Sequence, residues 1–313
     1  MPATASAAPS RGMGVGVALV IGSCLSLPFG AAVATQLFPH LGAWGVTALR
    51  VAIAAIVVLI AVRPRVRGWN RRQWLAAILF GLALAGMNGS FYAAIDRLPL
   101  GPAVAIEFLG PLLLAAALTR RLADGIWVVI ALGGMALLGV DGMIGQQPLD
   151  PLGLVLILIA AGFWVLYIRL SARVGELIPG AGGLAIALLV GAVVLLPFGI
   201  PAAVTVAGDP QLMIFAVVTA VLSSVIPYTF ELAALRRLPQ RVFGILLSLE
   251  PVFATLAGWL VLGQQASPLR LAAIALVVAA SVGVTAGARR RRGAGPDEDP
   301  PSLMTGSIPV LPD

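Results

Sequence analysis

The chain has 313 residues, 60% of them hydrophobic and only 11% charged, with a mean hydropathy of +1.03 and a formal net charge of +7. A water-soluble protein carries roughly a quarter charged residues to cover its surface, so this composition excludes a soluble globular domain and calls for a lipid-covered one. All 20 basic residues are arginine, which excludes a phosphate loop of the Gly-Lys-Ser/Thr kind, and the single cysteine, Cys24, excludes an intramolecular disulfide.

Residues 1–12 are rich in small residues and read as a disordered tail. Apolar runs of about 20 residues, the length that crosses about 30 Å of hydrocarbon, then follow one another. They lie near 13–37, 43–62, 74–95, 100–118, 125–142, 151–170, 178–197, 211–232, 240–262 and 268–287. Residues 288–313, rich in Arg, Pro, Gly and acidic residues, read as a second disordered tail. The fold class expected is an all-α integral membrane protein of ten transmembrane helices, and the bilayer is its first partner. Residues 13–142 form one unit and 151–287 another.

The arginines set the orientation. With the N-terminus inside, 17 of them fall on the cytoplasmic side, among them Arg63 to Arg72, Arg236 to Arg241 and Arg289 to Arg292. Arg97 and Arg270 are left in outside loops, and Arg50 lies within a span. That bias places both termini in the cytoplasm. It is a topology signal and not a nucleic-acid footprint, so no nucleic-acid partner is expected.

The two units repeat each other at an offset of 140 residues. The alignment pairs Pro39 with Pro179, Arg97 with Arg237, Pro99 with Pro239 and Pro111 with Pro251. The string Ala-Ala-x-x-Arg-Leu-Pro occurs at Ala93–Pro99 and again at Ala233–Pro239. Each unit has an odd number of spans, so the second copy enters from the opposite face. Such inverted repeats are the architecture of many secondary transporters, whose halves rock around a midplane site.

A charge within the bilayer costs at least about 2.5–3.5 kcal/mol on insertion scales, so each asks for a reason. Arg50, Glu107, Glu231 and Glu250 qualify. One cation against three carboxylates suits a site for protons and a substrate amine, with Arg50 free to pair a carboxylate. The plain alternative is an Arg50–Glu107 ion pair that only holds two spans together. Pro111 removes the helical partner of the Glu107 carbonyl, and Pro251 does the same to Leu247. Interruptions at matching places in two repeats point to a transporter's site. Asn88 and Tyr92, four apart on one helix face, are expected to face the same cavity, as are Ser223, Ser224 and Tyr228. Trp44, Trp74, Trp164 and Tyr167 are expected at the membrane interfaces, with cavity walls as the alternative. The lone His40 falls in an outside loop, and no cofactor or metal motif is present.

Phe38–Arg50, Gly86–Pro111 and Ile226–Pro251 resemble the EamA-type drug/metabolite transporter superfamily, and within it the threonine and homoserine exporters (Rht-type) of bacterial inner membranes. The resemblance covers residues 22–287. It implies a ten-helix inverted-repeat fold, an inner-membrane location and proton-driven efflux of small amino acids by alternating access. Broader drug or metabolite export is the alternative. Carried onto this sequence, the substrate positions are Arg50, Asn88, Tyr92, Glu107, Tyr228, Glu231 and Glu250, with Glu107, Glu231 and Glu250 as candidates for the proton. Where the superfamily pattern ends Leu-Gly-Glu, this chain reads Leu262-Gly263-Gln264, so no titratable group stands there. An intramembrane enzyme would need a nucleophile with its base or a metal cluster, and the sequence offers neither.

Overall fold

The structure, a computed structural model, describes residues 10–119, 122–144, 149–235, 237–238, 243, 246–265 and 267–287. Every regular element among them is helical. In chain order these are α1 Ser10–Thr35, α2 Phe38–Val62, α3 Arg71–Ile95, α4 Leu100–Glu107, α5 Leu109–Thr119, α6 Leu122–Ile144 and α7 Pro151–Leu177. Then come α8 Gly182–Val194, α9 Leu196–Ala207, α10 Pro210–Ala220, a π-helical turn Val221–Val225, α11 Ile226–Leu235, α12 Glu250–Leu262 and α13 Pro268–Gly287.

Local chemistry fixes the starts. Asn70 and Gln73 form a reciprocal capping box at the head of α3, which satisfies two orphan N–H groups. The Asp-Pro pairs at 150–151 and 209–210 open α7 and α10 by one device. The aspartate accepts a bond from a first-turn N–H, and the proline takes the position where no N–H is needed. At the other end, Gly263 is left-handed (φ 63°) and stops α12, as glycine at C′ commonly does.

Five stretches are long and apolar enough to cross a membrane: Met13–Thr35, Phe38–Val62, Arg71–Ile95, Pro151–Leu177 and Pro210–Glu231. The pair α8 and α9, bent by 79°, makes a sixth. The other predicted spans are represented among the described residues by the shorter apolar stretches Leu100–Leu114, Gly125–Leu138, Glu250–Leu262 and Pro268–Gly283. The protein is thus a multi-pass helical membrane protein, with apolar side chains such as Ile56, Ile60, Val129, Val204 and Ile214 facing outward.

Three local readings change. The run predicted at 178–197 is α8 plus a turn, because Pro197 cannot donate to the ladder and restarts the helix as α9. His40 is not in a loop but on the exposed first turn of α2, which begins five residues before the expected Ala43 and kinks at Gly42 (φ 66°). Arg270 is not in an open loop either. It is 4% exposed at the head of α13, where its Nε donates to Asp141 of α6 at 2.8 Å.

The helices pack closely. α3 lies along α7 and α8; α1 lies along α10, the π turn, α11 and α12; α2 lies on α8 and α9; α4 meets α12 and α7; α6 pairs with α13. Small residues allow the approach. A Cβ on Gly110 would lie 2.4 Å from the Ala161 carbonyl, and one on Gly81 2.6 Å from that of Ala187. No larger residue fits either crossing without moving backbone.

Candidate substrate cavity

Within this packing α1, α2, α3, α4, α7, the π turn, α11 and α12 leave a cavity of ≈ 190 Å³. Its polar wall is built around Arg50, which is 5% exposed in the middle of α2. One Arg50 amino group, Nη1, donates to the Ser223 carbonyl at 2.9 Å and to Ser224 Oγ at 3.4 Å. The other, Nη2, donates to Asn88 Oδ1, and the guanidinium stands over the Tyr92 ring, 4.8 Å from its centroid. Asn88 is oriented in turn by donating to the Leu84 carbonyl one turn back, at 2.8 Å.

The Ser223 carbonyl is available to Arg50 because of the π turn at Val221–Val225. An i→i+5 turn shifts the bonding register of the helix, and such turns are frequent at functional sites. All of Arg50's acceptors are neutral. Among the described residues no carboxylate lies within 4.0 Å of it, and its buried Nε has no hydrogen-bond partner. The ion pair with Glu107 that the sequence allowed is therefore not made. A guanidinium has five N–H groups, and the Nε–H and one Nη2–H are left without a protein acceptor. The Nε–Nη2 edge is one that a carboxylate can take with both oxygens.

Three carboxylates line the same cavity. Glu107, 9% exposed, ends α4 where the chain breaks before α5. Glu250 opens α12, with Pro251 next to it in the first turn. Glu231 lies on α11 and accepts a bond from Ser23 of α1 at 2.7 Å. Among the described residues Glu107 and Glu250 receive no hydrogen bond, so their oxygens are unclaimed. The cavity thus sets a cation with spare donors against acids with spare acceptors. That is the polarity pattern of a zwitterion turned inside out.

Of the residues expected from sequence, Arg50, Asn88, Tyr92, Glu107, Glu231 and Glu250 share this cavity. The side chain of Tyr228 lies outside the described residues. Pro111 does not line the cavity; it borders a smaller neighbouring void with Phe108 and Trp164. Trp164 and Tyr167, expected at the interfaces, instead stand in the cavity wall on α7. Trp164 meets Phe108 edge-on at 4.9 Å, and Tyr167 meets Phe80 at 5.1 Å. Only Trp164 offered a signal, near the middle of the expected 151–170 span, because a belt residue belongs near an end. Trp44 packs on Phe198, whereas Trp74 is exposed beside Trp69 at the start of α3. Pro28 in α1 also lines the cavity, and nothing in its sequence surroundings singles it out.

Residues 151–286 match the EamA-like transporter family. Two curated relatives extend the match across nearly the whole chain. The threonine/homoserine exporter RhtA of Salmonella typhimurium (strain LT2) is 37% identical over 265 residues, 85% of this chain and 89% of the relative. That of Escherichia coli (strain K12) is 36% identical over 274 residues, 88% of this chain and 92% of the relative. The chain belongs to the EamA-like transporter family. A solved crystal structure at 22% identity covers 90% of this chain and 99% of its own, with a TM-score of 0.55, which shows a shared fold. Membership fixes the class as a membrane transporter and makes the cavity the natural place for a small-molecule cargo.

Proposed function

We propose that this EamA-like transporter exports small amino acids such as threonine and homoserine across the bacterial inner membrane, by proton-coupled alternating access. One observation carries the reading. Among the described residues, a buried arginine held by neutral acceptors faces the same cavity as three carboxylates, two of which receive no hydrogen bond. Arg50 takes the substrate carboxylate, with Asn88 and Tyr92 fixing the guanidinium. Glu107 or Glu250 takes the ammonium, and a second carboxylate carries the proton; Glu231, engaged by Ser23, and Tyr228 complete the set. The relatives' substrate supports the choice of cargo. So does the volume, because ≈ 190 Å³ falls below the roughly 300–1,000 Å³ of pockets that hold drug-sized ligands.

The architecture is ten membrane segments in two five-helix units of opposite orientation, with both termini cytoplasmic. The internal repeat and the distribution of arginines support this. The helix pairings support it as well. Exchanging the units turns the contact of α3 with α7 into that of α10–α11 with α1, and the contact of α1 with α12 into that of α7 with α4–α5. The pairs α2–α8, α4–α12 and α6–α13 map onto themselves. Two units related in this way can rock about the cavity between them.

The test is counterflow in proteoliposomes preloaded with threonine, with homoserine and an unrelated cationic drug as competitors. Threonine exchange that homoserine blocks and the drug does not is the expected result, and a proton gradient should drive threonine uphill. Folded protein that exchanges no threonine would overturn the reading.

A further inference from the structure

Beside the guanidinium stand two hydroxyls that the scheme above leaves unused. Tyr92 is 1% exposed, and its hydroxyl donates to Ser223 Oγ at 3.4 Å. That is well beyond the roughly 2.7–2.8 Å usual for O–H···O bonds, so each oxygen keeps capacity for a closer partner. Each hydroxyl has one donor and two acceptor lone pairs, of which this long contact uses little. Both residues line the cavity.

Their position relative to Arg50 is fixed from two directions. Ser223 gives its carbonyl to Arg50 Nη1 at 2.9 Å and its hydroxyl to Tyr92. The Tyr92 ring lies under the same guanidinium, and its other contacts, edge-on with Phe38 and Phe91, hold it in place. The hydroxyl pair therefore belongs to the arginine's own framework and does not move independently of it. Across the cavity the acids are assigned to the ammonium and the proton. A ligand whose carboxylate is on Arg50 thus presents the groups next to its α-carbon to a neutral hydroxyl pair beside the cation.

Resting on the amino-acid reading above, we propose that Tyr92 and Ser223 determine specificity by reading the side-chain hydroxyl of the substrate. With the carboxylate on Arg50, a hydroxyl on the β-carbon, or one carbon further, comes within reach of the pair. It accepts from the tyrosine and donates to the serine, closing a three-oxygen ring that the 3.4 Å separation leaves open. A substrate with a methyl in that place leaves the two protein hydroxyls bonded to each other, not stranded. Discrimination is therefore modest, about five- to tenfold, as for one neutral hydrogen bond. The 10⁴–10⁵ of a site whose polar groups are left unpaired is not expected.

Competition in threonine counterflow tests this with valine, which replaces the threonine hydroxyl by methyl at nearly constant shape. In wild-type protein the apparent affinity for threonine should exceed that for valine by about five- to tenfold. In Tyr92→Phe, which keeps the ring under Arg50, and in Ser223→Ala, which keeps the carbonyl, the ratio should fall to within about twofold of unity, chiefly through weaker threonine binding. A ratio retained in both variants would overturn the proposal and leave the amino-acid reading intact. Loss of all binding in both would also overturn it, since a pair that only reads the side chain is not needed to hold the carboxylate and ammonium. Wild-type protein that exchanges neither amino acid would remove the amino-acid reading itself, and this inference with it.

Discussion

Two arginines are buried among the described residues, and they are satisfied in opposite ways. Arg270 has its own anion. Its Nε meets Asp141 at 2.8 Å, Ser267 donates to the same carboxylate, and Nη1 reaches the Gln265 carbonyl at 3.2 Å. Both partners are almost fully buried. Arg50 has a carbonyl, an amide, a hydroxyl and a ring, but no anion among the described residues. The first arrangement pairs the charge and ties α6 to α13. The second holds a charge in place while leaving donors over, and it does so beside a cavity. A closed ion pair is a structural element; an open one has capacity for a ligand.

The comparison can be broken most directly at the closed pair. Arg270→Ala strands Asp141 in the interior and should cost about 3–5 kcal/mol of stability, read as a large fall in the thermal midpoint of the protein in detergent. Converting both members, Asp141→Leu with Arg270→Leu, should recover most of it, because no charge is then stranded. If Arg270→Ala is as stable as wild type, the pair does not tie α6 to α13.

The open site should behave inversely. Arg50→Gln removes a charge whose hydrogen-bond partners are neutral and should cost less stability than Arg270→Ala, yet weaken threonine by about 2 kcal/mol or more, roughly thirtyfold, as expected when a buried charge loses its partner. Binding to detergent-solubilised protein measures this without requiring turnover. Unchanged affinity would remove Arg50 from the site.

Glu107→Gln and Glu250→Gln separate the ammonium from the proton. The variant that loses the ammonium contact should weaken threonine by about 1.5–3 kcal/mol, the value of a hydrogen bond to a charged group. The other should exchange threonine but no longer concentrate it against a gradient when a proton gradient is imposed. Wild-type binding and coupling in both variants would take these carboxylates out of the mechanism.

The smallest effect concerns the end of α4. Pro99 provides no side-chain cap there, and Gln264 instead accepts from the Leu100 N–H at 3.0 Å across the α4–α12 contact. Gln264→Ala should cost about 1 kcal/mol, like the loss of an N-cap, whereas Gln264→Glu keeps an acceptor and should cost less. Equal midpoints for all three proteins would show that the bond adds nothing.

Much of the site was legible because polar residues are scarce in a lipid-facing chain. Where only 11% of residues are charged, Arg50, Glu107, Glu231 and Glu250 stand out by cost alone. What each one touches was not legible. The sequence allowed Glu107 as a partner for Arg50, since opposite charges in a bilayer attract. The π turn instead presents the Ser223 carbonyl to the guanidinium, and nothing in Val-Leu-Ser-Ser-Val announces a π turn. Trp164 and Tyr167 were misplaced because an aromatic in an apolar run has the same composition at a belt as in a cavity wall. Arg270 was misplaced because its partner lies 129 residues away.

The sequence by itself determined the class and the apolar helical segments, and it is the source of the proposed repeat and sidedness. These depend on quantities that sum along the chain: hydropathy, periodicity and charge. Only the tertiary structure decided which arginine is closed and which is open, because that turns on contacts between helices far apart in sequence. Whether Asp141 lies 2.8 Å from Arg270, or Asn88 beside Arg50, is set by the packing of α13 on α6 and of α3 against α2. A guanidinium's role is fixed by its neighbours within hydrogen-bond reach, and no property that sums along the chain can specify those.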